Sequence, residues 1–368
     1  MEKKKNNMRV LLTGGHVTPA YAVIEELQKK GFLDLHFVGR KFTDRSNKDI
    51  SFEYKEVTAL GVKFYNLTTG RLSRTVGLKS LFDGIATFYG FILSLILLIK
   101  IKPKLIMSFG GFIAFPICIV GWLLGIKIIT HEQTISPGIS NRVIGKIAYK
   151  VLVSFAETAR YFDKHKTIHT GNPIRSTILT KGTPLIKGAL TKPLLFITGG
   201  SLGSHSINIR IEQILPQLLE NFVIVHQVGN VSEFQDYERL SKRESDDYLV
   251  YKNLTVDEMA WAYAHSSAIV SRSGANTLWE LIMLKKPAVL VPLPWSGRDE
   301  QRMQATFFLN SGLGEVYDQL EPAERLLEKI NKVYRDTVLY KKSFSNLPQN
   351  FILPAAESIA DIIEECAG

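Results

Sequence analysis

Short apolar runs alternate along this chain with segments whose apolar residues recur at helical spacing. The runs predict buried strands at Arg9–Leu12, Leu35–Val38, Leu105–Ser108, Ile126–Thr130, Val151–Ser154, Pro193–Thr198, Phe222–Gln227, Tyr248–Lys252, Ala268–Ser271 and Ala288–Pro292. Strands that alternate with helices are typical of parallel sheets covered by helices on both faces. The pattern therefore predicts an α/β protein of the doubly wound, Rossmann-like type.

Helical spacing predicts the helices that cover these strands. One begins near Ser136, and the clearest segments are Tyr21–Lys30, Leu81–Ile101, His205–Leu219, Thr255–Ala264 and Asn276–Leu284. Two further segments, Phe52–Val57 and Val62–Leu67, alternate apolar and polar residues and are predicted as strands. The first half of the chain is expected to end on the strand Val151–Ser154.

The length of 368 residues predicts two domains, because a single hydrophobic core seldom grows that large. The crossing is expected at His169–Arg175, where Gly171 and Pro173 interrupt regular structure. We therefore predict a first domain at residues 1–170 and a second at residues 171–350. The amphipathic segment 351–368 is predicted as a final helix that packs back onto the first domain.

Composition narrows the class of protein. The chain has two cysteines, Cys118 and Cys366, so neither a disulfide framework nor a zinc cluster is expected, and a reducing compartment fits. The apolar run Met8–Leu12 is too short for a signal peptide. The net charge of +10 is uneven, since Arg40–Lys104 holds twelve Lys and Arg against five Asp and Glu. A basic face attracts anionic lipid or a phosphorylated substrate, and the lack of interleaved aromatic residues argues against nucleic acid.

The segment Ile85–Ile101 is almost wholly apolar, with Lys100, Lys102 and Lys104 at its end. It is shorter than the ~20 residues that a membrane-spanning helix needs. We predict a helix packed on the sheet with one face exposed, so that it dips into an anionic membrane surface beside the lysines. A fully buried core helix and a membrane span are the alternatives.

Glycine-containing turns follow four of the predicted strands. They are Thr13–His16 (TGGH), Phe109–Phe112 (FGGF), Gly199–Ser204 (GGSLGS) and Ser271–Gly274 (SRSG). Where such a turn opens a helix, free N–H groups bind phosphate, and parallel sheets bind ligands at the carboxyl ends of their strands. Neither a GxGxxG dinucleotide motif nor the lysine of a P-loop is present. The turns predict a cleft enzyme that handles a nucleotide diphosphate.

Polar residues lie where the predicted strands end. His16, on the first turn, is a candidate general base, although a lone histidine is more often a capping or packing residue. Glu132, between His131 and Gln133, is a second candidate base, or part of a structural hydrogen-bond cluster. Arg175, in the crossing, is expected to reach a phosphate. The second half adds a group of candidate ligand-binding residues: Arg272, Ser273, Glu280, Asp299, Glu300 and Gln301. The alternative is an ordinary βαβ unit whose polar loop residues are simply solvated.

The motifs TGGHVTPA, FGG, HEQ, GNPIR, GGSLG, RSGANT and DEQ occur in this order over nearly the whole chain. With them the chain resembles glycosyltransferase family 28, the bacterial transferases of peptidoglycan synthesis. The resemblance implies a GT-B fold, in which two Rossmann-like domains face each other across a cleft. It also implies inverting transfer of N-acetylglucosamine from UDP-N-acetylglucosamine to undecaprenyl-pyrophosphoryl-N-acetylmuramyl-pentapeptide, without a metal ion or cofactor.

The resemblance further implies roles for single residues. His16 and Glu132 are the candidates for activating the acceptor hydroxyl, Val256 contacts uracil through its backbone, and Glu280 contacts the ribose. The other substrate-binding positions are Thr13, Gly14 and Gly15 of the first turn, the diphosphate contacts Arg175 and Ser201, and Thr134, Arg272, Ser273, Glu300 and Gln301, of which the last two face the sugar. The apolar helix with its lysines matches the family's membrane-facing patch, which implies a peripheral protein at the cytoplasmic face of the bacterial membrane.

Several positions depart from the family pattern. The first loop is shorter than the family's Gly-Gly-Thr-Gly-Gly-His run, Thr134 stands where the family has asparagine, and Leu202 stands where glutamine is common. Glu300 and Gln304 also replace the usual residues. Three alternatives therefore stay open: a related transferase with another UDP-sugar or lipid acceptor, an epimerase of UDP-N-acetylglucosamine, and a UDP-sugar-binding scaffold without turnover.

Overall fold

The computed structural model describes residues 8–42, 50–69, 78–186, 188–200, 203–295, 299–348, 351 and 354–367. The chain divides into two compact units, of which the first is Met1–Arg175 with Leu353–Gly368 and the second is Ser176–Ile352. The division thus falls after Arg175 rather than after residue 170. Each unit is built on one parallel sheet.

The first unit contains a seven-stranded parallel sheet in the order β3-β2-β1-β4-β5-β6-β7. Its strands are β1 Val10–Thr13, β2 Leu35–Gly39, β3 Lys63–Asn66, β4 Leu105–Ser108, β5 Lys127–Glu132, β6 Lys150–Val153 and β7 Thr167–His169. The central strands β1, β2 and β4 are buried along their whole length, which explains their continuous apolar runs. The strand order reverses between β1 and β4, and that switch point is where doubly wound sheets open a crevice for ligands.

Among the described residues of this unit, five helices accompany the sheet in addition to the final helix of the chain. They are α1 Val17–Lys29, α2 Phe52–Ala59, α3 Leu78–Ile101, α4 Gly111–Leu123 and α5 Ile139–Ile147. The prediction of a strand at Phe52–Val57 is wrong, because Ser51 caps a helix there and its Oγ accepts the backbone N–H of Tyr54 at 3.1 Å. The prediction that Val151–Ser154 ends the sheet is also wrong, since the short, half-buried β7 follows it.

The second unit contains a six-stranded parallel sheet in the order β10-β9-β8-β11-β12-β13. Its strands are β8 Leu194–Thr198, β9 Val223–Gln227, β10 Tyr248–Tyr251, β11 Ser266–Ser271, β12 Ala288–Leu290 and β13 Gly314–Val316. The helices are α6 His205–Asn221, α7 Asp236–Leu240, α8 Val256–His265, α9 Ala275–Met283, α10 Glu300–Asn310, α11 Ala323–Arg335 and α12 Thr337–Ser345. Here the order reverses between β8 and β11, which defines the second switch point.

The last helix, α13 Ala355–Ala367, belongs to the first unit. Its Ile359 and Ile363 are fully buried in the same core as Val23 and Leu27 of α1. An ion pair from Lys30 Nζ to a carboxylate oxygen of Asp361 on α13, at 2.6 Å, lies beside this contact. Apolar spacing on α13 therefore serves to cover one face of the first sheet.

Helix α3 has one buried and one exposed apolar side. Leu98 and Ile101 are buried in the core. The exposed stripe follows helical spacing and consists of Phe88, Ile92, Leu95, Ile96 and Ile99, with exposures from 41% to 68%. Within the described residues, no helix combines the length and apolar character that a membrane crossing requires.

Candidate active site

The glycine turns after β1 and β4 meet at the switch point of the first sheet. The backbone N–H of Gly15 donates to the carbonyl of Gly110 at 3.1 Å, and that of Phe109 donates to the carbonyl of Thr13 at 2.8 Å. Thr13 is buried, and its hydroxyl donates to the carbonyl of Val38 on β2 at 2.9 Å. The two turns thus form one backbone surface at the carboxyl edge of the sheet, where α1 and α4 begin.

His16 occupies the N-cap position of α1, so it lies directly on this surface. The residue is exposed to solvent, and partial desolvation by the neighbouring turns lowers the pKa of its imidazole below the usual value. Both observations agree on a side chain that is neutral at pH 7, because even an unperturbed histidine is mostly neutral there. A neutral imidazole at a strand exit can accept a proton from a bound hydroxyl.

His131, at the end of β5, is close enough to His16 for protonation of one ring to lower the pKa of the other. Its Nε2 lies 3.1 Å from the carbonyl oxygen of Gly171 and 3.2 Å from the hydroxyl of Ser154. Burial lowers the pKa of His131 to about 4, so this ring is also neutral and donates to the carbonyl. His131 therefore ties β5 to the end of the first unit.

Glu132 is buried, and its carboxylate accepts four hydrogen bonds, three from the loop that follows it and one from Asn141 on α5. Oε1 accepts from the backbone N–H of Thr134 at 3.0 Å and from the Thr134 hydroxyl at 2.7 Å. Oε2 accepts from the side-chain amide of Asn141 at 2.9 Å and from the N–H of Gly138 at 3.3 Å. Burial raises the pKa of Glu132, while these donors oppose the shift. The carboxylate organises the loop between β5 and α5, and Thr134 takes part in that arrangement.

Arg175, predicted to contact a diphosphate, is buried against α1 and α2. Its Nη1 lies 2.9 Å from Oε2 of Glu56, and its guanidinium carbon lies 4.8 Å from the ring centre of Tyr21 and 5.3 Å from that of Phe52. Sequence reasoning missed Glu56, because the segment was predicted as a strand. Helical spacing was the available signal, since Phe52 and Glu56 are one turn apart.

The glycine turn after β8 approaches the switch point of the second sheet. A Cβ on Gly203 would lie 2.1 Å from the carbonyl oxygen of Val228, so only glycine fits there. Ser204 caps α6 through a hydrogen bond from the N–H of Ile207 to its Oγ at 3.5 Å. Ser201, predicted to contact the diphosphate, lies outside the described residues, as does Leu202.

Arg272 and Ser273 follow β11 on the other side of that switch point. The guanidinium of Arg272 donates to the carbonyl of Val291 at 3.0 Å, to Oε1 of Gln319 at 3.0 Å and to the hydroxyl of Ser206 at 2.6 Å. Desolvation lowers the pKa of Arg272 to about 10, which leaves it charged at pH 7. Arg272 therefore links the exits of β11 and β12 to the first turns of α6.

Of the remaining predicted residues of the second unit, Ser273 lies in the loop before α9, and the others lie on helices: Val256, Glu280, Glu300 and Gln301. Ser273 donates to the carbonyl of Gln301 at 2.8 Å, and Glu280 Oε2 accepts from the hydroxyl of Tyr263 at 3.1 Å. Gln301 Oε1 in turn accepts from the backbone N–H of Leu293 at 3.0 Å. Two predicted residues are the first of their helices: Glu300 begins α10, and Val256 begins α8 within a capping box.

Two buried amides add to the candidates from sequence. Gln133 Oε1 and both amide atoms of Gln304 have no hydrogen-bond partner among the residues that the structure describes. Gln304 is fully buried on α10, one turn after Gln301. Buried polar atoms are nearly always paired in folded proteins, so unpaired ones mark positions where a ligand or water completes the bond. No sequence pattern reveals such an atom.

Comparison with known proteins agrees with this geometry. The N-terminal domain model of glycosyltransferase family 28 matches residues 12–153, and the C-terminal domain model of the same family matches residues 194–365. The chain belongs to glycosyltransferase family 28. The predictions of this family, of a fold with two Rossmann-like units and of a hexosyltransferase are therefore confirmed.

Individual relatives of this family 28 chain match it over most of its length. The UDP-N-acetylglucosamine–N-acetylmuramyl-(pentapeptide) pyrophosphoryl-undecaprenol N-acetylglucosamine transferase of Legionella pneumophila (strain Paris) is 34% identical, with 88% of this chain and 87% of that protein covered. A Bacillus cereus protein (strain ATCC 10987 / NRS 248) with the same name, numbered 2, is 30% identical over 90% of this chain and 93% of its own length. The crystal structure of Acinetobacter baumannii MurG has the same fold, with a TM-score of 0.68, 23% identity and coverage of 97% and 99%.

Proposed function

We propose that this chain transfers N-acetylglucosamine from UDP-N-acetylglucosamine to undecaprenyl-pyrophosphoryl-N-acetylmuramyl-pentapeptide, the step from lipid I to lipid II in peptidoglycan synthesis. One observation carries the proposal: glycine turns flank the switch point of each of the two sheets, in a chain whose relatives are named for this reaction. The first unit would bind the lipid-linked acceptor, and the second would bind the UDP-sugar.

His16 is the residue that we assign as general base. The acceptor hydroxyl oxygen attacks the anomeric carbon of the sugar, the bond from that carbon to the UDP oxygen breaks, and the hydroxyl proton passes to the imidazole of His16. UDP leaves with the electron pair on the face opposite the attack, so the configuration inverts. Glu132 is less suited to the role, because its two carboxylate oxygens already accept four hydrogen bonds. We assign Glu132, together with Thr134, to holding the loop between β5 and α5.

Binding of UDP in this proposal depends on the second unit. The N-termini of α6 and α9 offer N–H groups and a positive helix end to the diphosphate of UDP, and Arg175 of the first unit is assigned to a substrate diphosphate. Val256 at the start of α8 would contact uracil through its backbone, and Glu280 would accept from ribose hydroxyls. Ser201 would contact the diphosphate, Glu300 and Gln301 would face the sugar, and Arg272 and Ser273 would complete the substrate-binding turn. These donors offset the charge on departing UDP without requiring a metal ion.

The exposed stripe on α3 supports a peripheral position at the cytoplasmic face of the membrane. Its side chains, with Lys100, Lys102 and Lys104 exposed at the helix end, combine apolar and basic surface. Such a combination binds anionic lipid without crossing the bilayer. The site would thereby meet an acceptor that is held in the membrane by its undecaprenyl chain.

The direct test is transfer of labelled sugar from UDP-N-acetylglucosamine to a short-chain analogue of the lipid-linked muramyl pentapeptide, in detergent with EDTA. Product under these conditions is the expected result, and it would establish both the acceptor and the independence from divalent metal. Binding of UDP by calorimetry without product would instead favour another acceptor, another sugar or a scaffold. Release of an epimerised sugar nucleotide without any acceptor would favour the epimerase.

A further inference from the structure

Arg175 is the last residue of the first unit, and three side chains from two helices surround it. Glu56 and Phe52 come from α2, and Tyr21 comes from α1. The Arg175 side chain is 7% exposed, and that of Glu56 is 25% exposed. A guanidinium that is paired on one edge and faced by two aromatic rings has little freedom to change its rotamer.

The arrangement follows from local helix geometry. Ser51 caps α2 and fixes where that helix begins. Phe52 and Glu56 then stand four residues apart on one face, so the carboxylate and the ring reach the same guanidinium. Tyr21 on α1 lies within 4.8 Å of it as the third member. We call Tyr21, Phe52 and Glu56 the Arg175 clamp.

The clamp leaves part of the guanidinium without a partner. Glu56 contacts Nη1, whereas Nε is buried and has no hydrogen-bond partner within the described ranges. The edge formed by Nε and Nη2 is one of the edges that bind two oxygens of a phosphate side by side. A buried donor without a partner is costly, so this edge is suited to an anion that arrives with the substrate.

We propose that Glu56 is a positioning residue, which with Tyr21 and Phe52 holds Arg175 ready for a phosphate of a substrate diphosphate. The inference rests on the proposed function, in which Arg175 binds a diphosphate, and adds the residues that prepare it. Glu56 and the phosphate occupy different edges of the guanidinium, so the carboxylate orients the side chain without competing for the ligand. Both UDP-N-acetylglucosamine and the lipid-linked acceptor carry a diphosphate, and the measurement must separate them.

The experiment is a double-mutant cycle read out as two constants: Kd for UDP by calorimetry, and KM for the lipid-linked acceptor analogue. Arg175→Ala should weaken one of the two by about tenfold or more, as expected for a charged hydrogen bond to phosphate. Glu56→Ala should weaken the same constant by about fivefold and leave the other unchanged. Glu56→Gln should recover most of the loss, because its amide oxygen still accepts from Nη1. In the Arg175→Ala background, Glu56→Ala should add nothing.

The control is Glu26→Ala, which removes an exposed ion pair to Lys29 on α1 and should change neither constant. Thermal unfolding of every variant separates loss of fold from loss of positioning. The inference is overturned if Glu56→Ala weakens binding equally in the Arg175→Ala background, or if it leaves both constants unchanged while Arg175→Ala weakens one. It is also overturned if Arg175→Ala changes neither constant in a chain that still transfers sugar. Failure of the proposed function gives a distinct result, because the unmodified chain would then show no sugar transfer at all. The Kd for UDP could still be measured in every variant of the cycle.

Discussion

A Cβ built on Gly14 would lie 2.9 Å from the backbone carbonyl carbon of Phe109, and Gly14 has a φ of +146°. Contact and conformation therefore both require glycine at this point. The two strands that precede these residues, β1 and β4, are neighbours across the switch point of the first sheet. The close approach of the two turns is what creates the backbone surface beside His16.

Gly14→Ala should therefore destabilise the first unit and disturb the acceptor site. Strain at such a backbone position costs about 1–3 kcal/mol, and the clash with Phe109 adds to it. Urea unfolding measures the loss. Gly15→Ala is the matched control, because a Cβ on Gly15 meets nothing within 4 Å, and its stability should stay within about 0.5 kcal/mol of the unmodified protein. Equal losses in the two variants would show that the contact with Phe109 is unimportant.

His16→Ala should lower kcat by about 10²–10⁴-fold, the usual contribution of a general base, with little change in Kd for UDP. The pKa of His16 is lowered from 6.5 by desolvation, so the neutral base persists below neutral pH. The acid limb of kcat/KM should then lie below pH 6.5 and disappear in the variant. Glu280→Ala should instead weaken the binding of UDP. Equal loss of UDP affinity in both would refute this division of roles.

Glu132→Gln should act on the loop rather than on proton transfer. The amide nitrogen of the new side chain would face donors, such as the N–H of Gly138 or the amide of Asn141, and would leave at least one of them unpaired. The expected cost is about 1–3 kcal/mol in the free energy of unfolding. The acid limb of the pH–rate profile should remain where it is. If instead the limb vanished and stability were unchanged, Glu132 would be the base.

The sequence pattern predicted the sheets well because the central strands are buried on both faces. Continuous apolar runs such as Leu105–Ser108 are what such burial requires, and glycines at their ends mark the turns. Short edge strands carry a weaker signal: β7 is only half buried and β13 spans three residues, and neither was predicted. The segment Phe52–Val57 alternates apolar and polar residues as a strand does, yet it forms a helix whose N-terminus Ser51 caps.

Roles of single side chains were harder to predict than the fold. Glu132 was identified as a candidate base from its position, but its carboxylate accepts four hydrogen bonds from Thr134, Gly138 and Asn141, which supports a structural role. The pairing of Arg175 with Glu56 joins residues that are far apart in sequence, and local periodicity carries no information on such a contact. Position along the chain thus nominated the candidate residues, whereas the contacts that distinguish their proposed roles are tertiary.

The exposed stripe on α3 predicts a specific loss of membrane binding. Changing Phe88, Ile96 and Ile99 together to serine should lower binding to anionic vesicles by more than tenfold, because each apolar side chain that enters lipid contributes about 1.5–3 kcal/mol. The control changes Val338 and Leu339 on α12, which are 82% and 66% exposed, to serine. That variant should bind as the unmodified protein does. Cosedimentation with vesicles measures both, and equal effects would place the contact elsewhere.

Glu53 on α2 should make the first unit less stable as the pH rises towards neutrality. It is 9% exposed, and desolvation raises its pKa from 4.5 to about 7, so the folded state holds a proton that the unfolded state releases. The resulting stability is complete below pH 4.5 and is lost as the pH rises to about 7. The shift corresponds to about 3 kcal/mol at most. Glu53→Gln cannot titrate, so the free energy of unfolding of the unmodified protein should fall relative to that of the variant across this range. Urea unfolding from pH 4.5 to 8 measures the difference, and parallel curves would mean that folding does not raise the pKa of Glu53.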